Sequence, residues 1–279
     1  MQEHDCLRRF LFEKHGIRGV WVQLTGTWQE AKRHQKQPDI ALNTLGQALA
    51  ATTMLSTTVK FDGALVLQAQ SDGAISTLVA QASNQGKIRG VVRTRAEINT
   101  GTLQELFGQG QLVISIDTGT GQPYQGVVAL QGDTIAQALQ TYFEHSEQLK
   151  TRLWLFANAT HAAGLLLQAL PSQEETTDSW DTLEILANTL TQDEIFGLDC
   201  HDLLHRLFHE EAVRLFPSEP VAFECSCSRE RIENTLRAME VSELYTILEA
   251  QQIIEVTCEF CNKTQTFHRS DIDTLLQHS

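Results

Sequence analysis

Two short segments, Cys225-Ser226-Cys227-Ser228 and Cys258-Glu259-Phe260-Cys261, decide how the C-terminal part of this chain is read. Six cysteines are present in all, and Cys6 and Cys200 stand alone. The N-terminus, Met1 to Arg9, carries Glu3 and Asp5 and no apolar signal core, so a cytoplasmic, reducing setting is expected. Two close cysteine pairs in such a compartment read as a metal site before they read as disulfides. Zn²⁺ takes four soft thiolates in a tetrahedron, and each pair can occupy one edge of it. Cys225, Cys227, Cys258 and Cys261 are the expected ligands.

The flanks give these pairs their setting. Ile253 to Thr257 and Thr264 to His268 are rich in β-formers, which places the second pair at a hairpin tip, and Asn262 tolerates the positive φ of a knuckle-like turn. The first pair lies just before a helix: Ser228 is a good N-cap, Glu230 falls in the first turn, and Ile232, Leu236 and Met239 mark an apolar face. The spacing alone leaves two roles open, a purely stabilising zinc with inert thiolates or a redox switch. A disulfide within C-x-C closes a tight, strained and relatively oxidising ring, whereas C-x-x-C closes more easily. Oxidation of either pair removes thiolates and expels the metal. Structural zinc contributes ~10–16 kcal/mol in finger peptides, and a segment as short as residues 221–279 has little core to replace that. Arg229, Arg231, Lys263 and Arg269 are close enough in sequence to stabilise thiolates; the alternative is that they are ordinary solvated charges.

Upstream, strands are expected at Ile17 to Thr25, Ala64 to Ala69, Ile75 to Ala80, Ile88 to Thr94, Leu112 to Asp117, Leu153 to Asn158 and Gly164 to Ala169. A helix is expected after Pro38, through Ile40, Leu42, Leu45, Leu49 and Met54, and another from Thr134 to Lys150. Strands outnumber crossover helices, and short turns such as Ser71-Asp72-Gly73 join them. The fold class is therefore α+β: a mixed, mainly antiparallel sheet domain with packed helices, a helical linker and a small C-terminal zinc-binding domain. A loop at Thr118 to Gln122 and a polar, acidic boundary from Ser172 to Asp181 punctuate it. Trp180 to Phe216 reads as wholly helical, broken near Gly197 and closed by Pro217 and Pro220. The expected domains are residues 1–175, 176–220 and 221–279.

The 279 residues hold 21 Lys+Arg against 35 Asp+Glu, a formal charge of −14 that disfavours nucleic acid and anionic membrane. No apolar run is long enough to span a bilayer. The chain has no P-loop, no complete G-x-G-x-x-G and no G-x-S-x-G, so no nucleotide and no enzyme activity are expected. Gly119-Thr120-Gly121 is too short to define a phosphate cradle. Tyr124, Glu147 and His161 are acid–base residue types that nothing in the sequence brings together. His201, His205 and His209 share a helix face, but Leu203, Leu204, Leu207 and Phe208 mark the same helix as amphipathic, so a solvated face is expected rather than a metal site. Cys6 and Cys200 read as small buried residues.

Taken together, the residues resemble the heat-shock protein 33 family, the redox-regulated 33-kDa chaperonins. The most specific stretch is Phe223-Glu224-Cys225-Ser226-Cys227-Ser228-Arg229-Glu230-Arg231 with Cys258-Glu259-Phe260-Cys261. Arg18-Gly19, Leu24-Thr25-Gly26-Thr27, Lys60-Phe61-Asp62-Gly63, Arg89-Gly90, Pro123-Tyr124-Gln125-Gly126 and Ser146-Glu147-Gln148 match as well. So do Gly164 to Pro171 and Leu204-His205-Arg206-Leu207-Phe208-His209-Glu210-Glu211, which makes the likeness essentially full length.

The resemblance implies a bacterial cytosolic, ATP-independent holdase for unfolding proteins. It implies an inactive, zinc-bound reduced form and activation by oxidants such as peroxide or hypochlorite. Disulfides Cys225–Cys227 and Cys258–Cys261, metal release, unfolding of the C-terminal segment and linker, and a homodimer when active are all part of that implication. The linker's apolar residues Leu183, Leu186, Leu190, Leu203, Leu207 and Val213 can cover apolar core surface while folded. Two rival readings are a thiol–disulfide oxidoreductase using Cys258 and Cys261, and a zinc-ribbon interaction module. A redox C-x-x-C belongs at a helix N-terminus after a strand, and residues 222–279 carry five Lys/Arg against ten Asp/Glu, which disfavours phosphate.

Overall fold

Apolar–polar alternation organises the first part of the chain into paired strands, and the computed structural model describes residues 4–98, 100–117, 124–170 and 177–277. It opens with β1 (Cys6–Phe12), β2 (Ile17–Leu24), α1 (Gly26–Lys32) and α2 (Asp39–Leu55). Next come β3 (Ala64–Ser71), β4 (Ile75–Ser83), β5 (Lys87–Thr94), α3 (Leu103–Phe107) and β6 (Gly110–Asp117). These lead to β7 (Tyr124–Ala129), α4 (Ile135–His145), β8 (Thr151–Ala157) and β9 (Ala162–Ala169). Three helices follow, α5 (Thr177–Ala187), α6 (Gln192–Gly197) and α7 (Cys200–Phe208), then β10 (Val213–Pro220) and β11 (Ala222–Phe223). The chain divides into two compact units, Met1–Glu224 and Cys225–Ser279.

In the first unit, one sheet runs β10-β1-β2-β9-β8 and the other β11-β5-β4-β3-β6-β7. Every neighbouring pair is antiparallel except the short β11–β5 contact. Helix α2 packs against strands of both sheets. Small residues allow this: Ala48, Ala50 and Ala51 are fully buried, and a Cβ on Gly46 would lie 2.8 Å from that of Ala157. A helix apolar on all sides must be covered on all sides. Its buried hydroxyls are satisfied within the helix, Thr52 donating to Ala48 O and Thr53 to Leu49 O.

Strand β9 is buried at every position, as the run Gly164-Leu165-Leu166-Leu167 requires. One face meets the α2 side, where Leu166 lies. The other, with Leu165 and Leu167, joins Phe10, Phe12, Ile17 and Trp21 under Trp180, Leu183, Leu190, Leu203, Leu207 and Phe208. Helices α5 to α7 therefore cover the sheet with the apolar face their spacing predicted. Their seating is held by the Gln23 side chain, which donates to Ile195 O and Phe196 O, by Phe208 meeting Phe12 edge-on at 5.0 Å, by the Arg152–Glu184 ion pair at 2.6 Å and by the Trp154 indole N–H donating to Asn188 Oδ1 at 3.0 Å. The Trp21 indole N–H is buried there without a hydrogen-bond partner among the described residues.

Three expectations need correction or bounding. Trp180 to Phe216 is not wholly helical, because Val213–Pro220 is a strand paired with β1. The missing N–H groups of Pro217 and Pro220 are tolerated because β10 is an edge strand. The Thr134 to Lys150 helix stops at His145, and Gln148 takes φ 55°, so its last turns unwind. Thr118 to Gln122 and residues 171–176 lie outside the described residues.

The second unit contains α8 (Arg229–Arg237), α9 (Val241–Gln251), β12 (Ile253–Thr257), β13 (Thr264–His268) and α10 (Arg269–Gln277). Its buried core is Leu236, Leu244, Leu248, Ile254, Phe267, Ile272 and Leu275. Arg229 spans several elements of this unit. Its guanidinium lies 4.3 Å from the Phe267 ring centroid, donates to Thr266 O and pairs with Glu233 and Asp271.

Two substitutions test this packing. A Cβ at Gly19 would fall 2.0 Å from the Phe10 ring, which is itself buried. Gly19→Ala should therefore destabilise the first unit by about 1–3 kcal/mol in chemical denaturation, the usual cost of overpacking. An unchanged midpoint would refute that packing. Arg229→Ala should lower the stability of the second unit by about 1–2 kcal/mol, and Lys should restore only part of it, because Lys lacks the planar fork.

Candidate metal and redox centre

The C-x-C pair sits between β11 and α8. The Ser228 hydroxyl accepts the Arg231 N–H at 3.2 Å, so the cap expected from the sequence forms, and Arg231 donates to the Ser226 hydroxyl at 2.7 Å. The C-x-x-C pair occupies the turn between β12 and β13. There Cys258 N–H donates to Lys263 O, Asn262 N–H donates to Cys258 O, and Asn262 takes φ 56°. A local turn thus presents Cys258 and Cys261 together, and a helix cap presents Cys225 and Cys227.

All four sulfurs lie within 4.8 Å of one another. Cys225 Sγ is 3.6 Å from Cys258 Sγ, and Cys227 Sγ is 3.4 Å from Cys261 Sγ. A disulfide needs about 2.05 Å, so all four are free thiols. A tetrahedral Zn–S distance of about 2.3 Å requires sulfur–sulfur edges of about 3.8 Å. Donor type, number and spacing therefore fit a four-thiolate zinc site. These two contacts run between the pairs, and a tetrahedron has an edge within each pair as well.

Electrostatics agree with a site that needs a cation. Burial pushes the Cys225 thiol up, but the N–H of Cys227 and the thiols of Cys227, Cys258 and Cys261 outweigh it, and its pKa is lowered to about 7. Burial, reinforced by the thiols of Cys261 and Cys225, holds Cys227 far above the ordinary thiol range. Cys261 is also raised, chiefly by burial. One sulfur gives up its proton readily and its neighbours then keep theirs, so four thiolates together require added positive charge. The expected arginines do not dominate this balance. Arg229 is engaged with Phe267, Glu233 and Asp271, and Arg269 stacks on Tyr245.

The remaining candidates separate. Cys6 and Cys200 are buried in the core under α5 to α7. His201, His205 and His209 lie on the exposed face of α7. Asp199, His201 and Asp202 form a second cluster of possible ligands, but Asp199 caps the helix by accepting Asp202 N–H. Gly119-Thr120-Gly121 lies outside the described residues. Tyr124 and Glu147 do come together: the Tyr124 and Tyr142 hydroxyls both donate to Glu147 Oε1 at 2.6 Å. Spacing along the chain does not show this, because β7, α4 and the segment after α4 meet only in the folded structure. His161 is elsewhere, stacked on Phe196 at 5.2 Å, and burial lowers its pKa. Among the described residues, no helix is long and apolar enough to cross a membrane.

Comparison with known proteins matches this architecture. The family model for the Hsp33 protein covers residues 5–268. A 33 kDa chaperonin of Nitrosococcus oceani is 49% identical over 275 residues, covering 99% of this chain and 95% of that protein. Another, from Shewanella loihica, is 42% identical over 276 residues, covering 99% and 96%. The crystal structure of the 33 kDa chaperonin from Thermotoga maritima superposes with a TM-score of 0.85 at 23% identity, covering 99% of each chain, and so shares the fold. The chain therefore belongs to the Hsp33 family of chaperones.

Proposed function

We propose that this chain is a redox-switched, ATP-independent holdase that captures unfolding proteins in the bacterial cytosol. The observation that carries the reading is the meeting of four free thiols in a unit whose buried core is seven apolar side chains. In the reduced form Cys225, Cys227, Cys258 and Cys261 hold Zn²⁺, which supplies cross-linking free energy of the order of 10 kcal/mol to a domain too small to do without it.

Peroxide or hypochlorite is the oxidant. Each disulfide forms as two thiols lose two electrons and two protons; with peroxide, two waters result. We assign the pairs as Cys225–Cys227 and Cys258–Cys261, as the resemblance to the family implies. Residues 221–279 form the switch domain, residues 176–220 the linker, and residues 1–175 the client-binding and dimerisation domain. Loss of the thiolates unfolds the switch domain, and the linker follows. Helices α5 to α7 then leave Phe10, Phe12, Trp21, Leu165 and Leu167 open to solvent and client. Each large side chain so exposed costs about 1.5–3 kcal/mol, a term that client binding recovers. Hydration of the buried Trp21 N–H offsets part of that cost. No nucleotide and no chemical turnover of the client enter this cycle.

Peroxide-treated protein should suppress aggregation of a chemically unfolded client and bind more hydrophobic dye, with release of a single zinc per chain. Reduced protein should do neither. A dye signal that stays flat after zinc loss would overturn the switch. Changing all four cysteines to Ser should abolish the dependence on peroxide, whereas Cys6→Ser and Cys200→Ser should leave it intact. Turnover in an insulin-reduction assay would instead favour the oxidoreductase.

A further inference from the structure

Several segments that carry the family resemblance play no part in the thiol cluster, yet they converge elsewhere. Arg18 from Arg18-Gly19, Lys60 from Lys60 to Gly63, Tyr124 from Pro123 to Gly126, Glu147 from Ser146 to Gln148 and Gln168 from Gly164 to Pro171 line a single cavity of about 310 Å³. This volume falls at the lower end of small-molecule sites, roughly 300–1,000 Å³. Most of the wall is apolar, from Leu55, Leu65, Ile114, Ile116 and Phe143.

The polar groups are placed asymmetrically. Arg18 is half-buried, and its guanidinium meets only neutral acceptors. Gln168 Oε1 accepts from both Nε and Nη2, and Thr58 O accepts from Nη2 at 3.1 Å. Gln168 is fully buried and is held in turn by donating to the Thr151 hydroxyl at 2.8 Å. Among the described residues no carboxylate pairs with Arg18 or with Lys60, which lies exposed at the rim. Burial alone pulls the Arg18 pKa down, as expected for a cation lacking a counter-charge. Among the described residues, the one carboxylate lining the cavity is Glu147, which accepts from two phenols. A half-buried cation fixed by a buried amide, beside an apolar wall, is how a protein receives an anion carrying a hydrocarbon tail.

We propose that this cavity binds a small amphipathic carboxylate, its head group on Arg18 and Lys60 and its alkyl chain along Leu65, Ile114 and Ile116. A monoanion is favoured over a dianion because Glu147 shares the cavity. The site lies wholly within the first unit and does not depend on the thiol cluster.

Calorimetry with sodium decanoate, below its micelle concentration, tests this on the reduced, zinc-loaded full chain. Decanoate should bind at a single site, weaken as salt rises, and bind about tenfold more tightly than decanol, the gain expected of a charge-assisted contact. Arg18→Gln should bring decanoate to within about threefold of decanol, the remainder being Lys60, and leave decanol unchanged. Lys60→Gln, at an exposed position that folding tolerates, should weaken decanoate by about threefold. Leu149 also lines the cavity, and Leu149→Trp, which fills it, should abolish both. No decanoate binding, equal affinity for decanol, or binding unaffected by Leu149→Trp would overturn the assignment. Because every arm uses reduced protein, failure here leaves the redox switch untouched, and failure of the switch leaves this site untouched.

Discussion

Four sulfur atoms drawn within 4.8 Å of one another are the constraint on which the C-terminal unit depends. They tie the cap of α8 to the tip of the β12–β13 hairpin, elements joined otherwise by a small apolar core and the Arg229 contacts. The same four atoms make a poor structure without a cation. Cys225 is disposed to ionise, while Cys227 and Cys261 resist it. A group of thiols that can be fully ionised only around a metal is also one whose oxidation removes the metal's ligands. In this account stability and sensitivity to oxidants come from one set of atoms.

Part of the first unit's core lies under a separate group of helices, the group that the proposed switch would release. Its β10-β1-β2-β9-β8 sheet is buried on both faces at its central strands β2 and β9. One face is closed by α2, a helix surrounded by apolar neighbours, whose removal would expose the centre of the fold. The other is closed by α5 to α7, which lie between the polar stretch near residue 172 and the edge strand β10. These helices carry exposed charge outside and Leu, Trp and Phe inside. Their cover is mainly apolar, tied to the sheet by Gln23 to α6 and by Arg152 and Trp154 to Glu184 and Asn188. Apolar cover of this kind is held by area rather than by geometry, and it can be released as a piece.

The sequence made the thiol centre legible because its geometry is local. Ser228 at the cap, Asn262 in the turn and β-formers on either side of Cys258 and Cys261 each act within a few residues. The buried strands β2, β3, β4, β5, β6, β8 and β9 were legible through their apolar patterns. Strands β1, β7 and β10 were not. In β1, Arg8 and Arg9 interrupt the alternation, and in β10 two prolines argue against any regular element. Strand β7 has Gly126 at its centre, a position with no room for a side chain because the Tyr142 hydroxyl lies 2.1 Å from where its Cβ would be. The five-residue α3 is too short to show a period. Tyr124, Tyr142 and Glu147 meet only because β7, α4 and the chain after α4 come together in three dimensions, which spacing along the chain does not encode.

Amide hydrogen exchange on the full chain, read in the reduced zinc-loaded form and again after peroxide, tests the central claim most directly. The account predicts that protection collapses in residues 225–277 and across α5 to α7, while α2 and β9 stay protected. Retention of protection in the β12–β13 hairpin and α8 after the four thiols have been oxidised would contradict it.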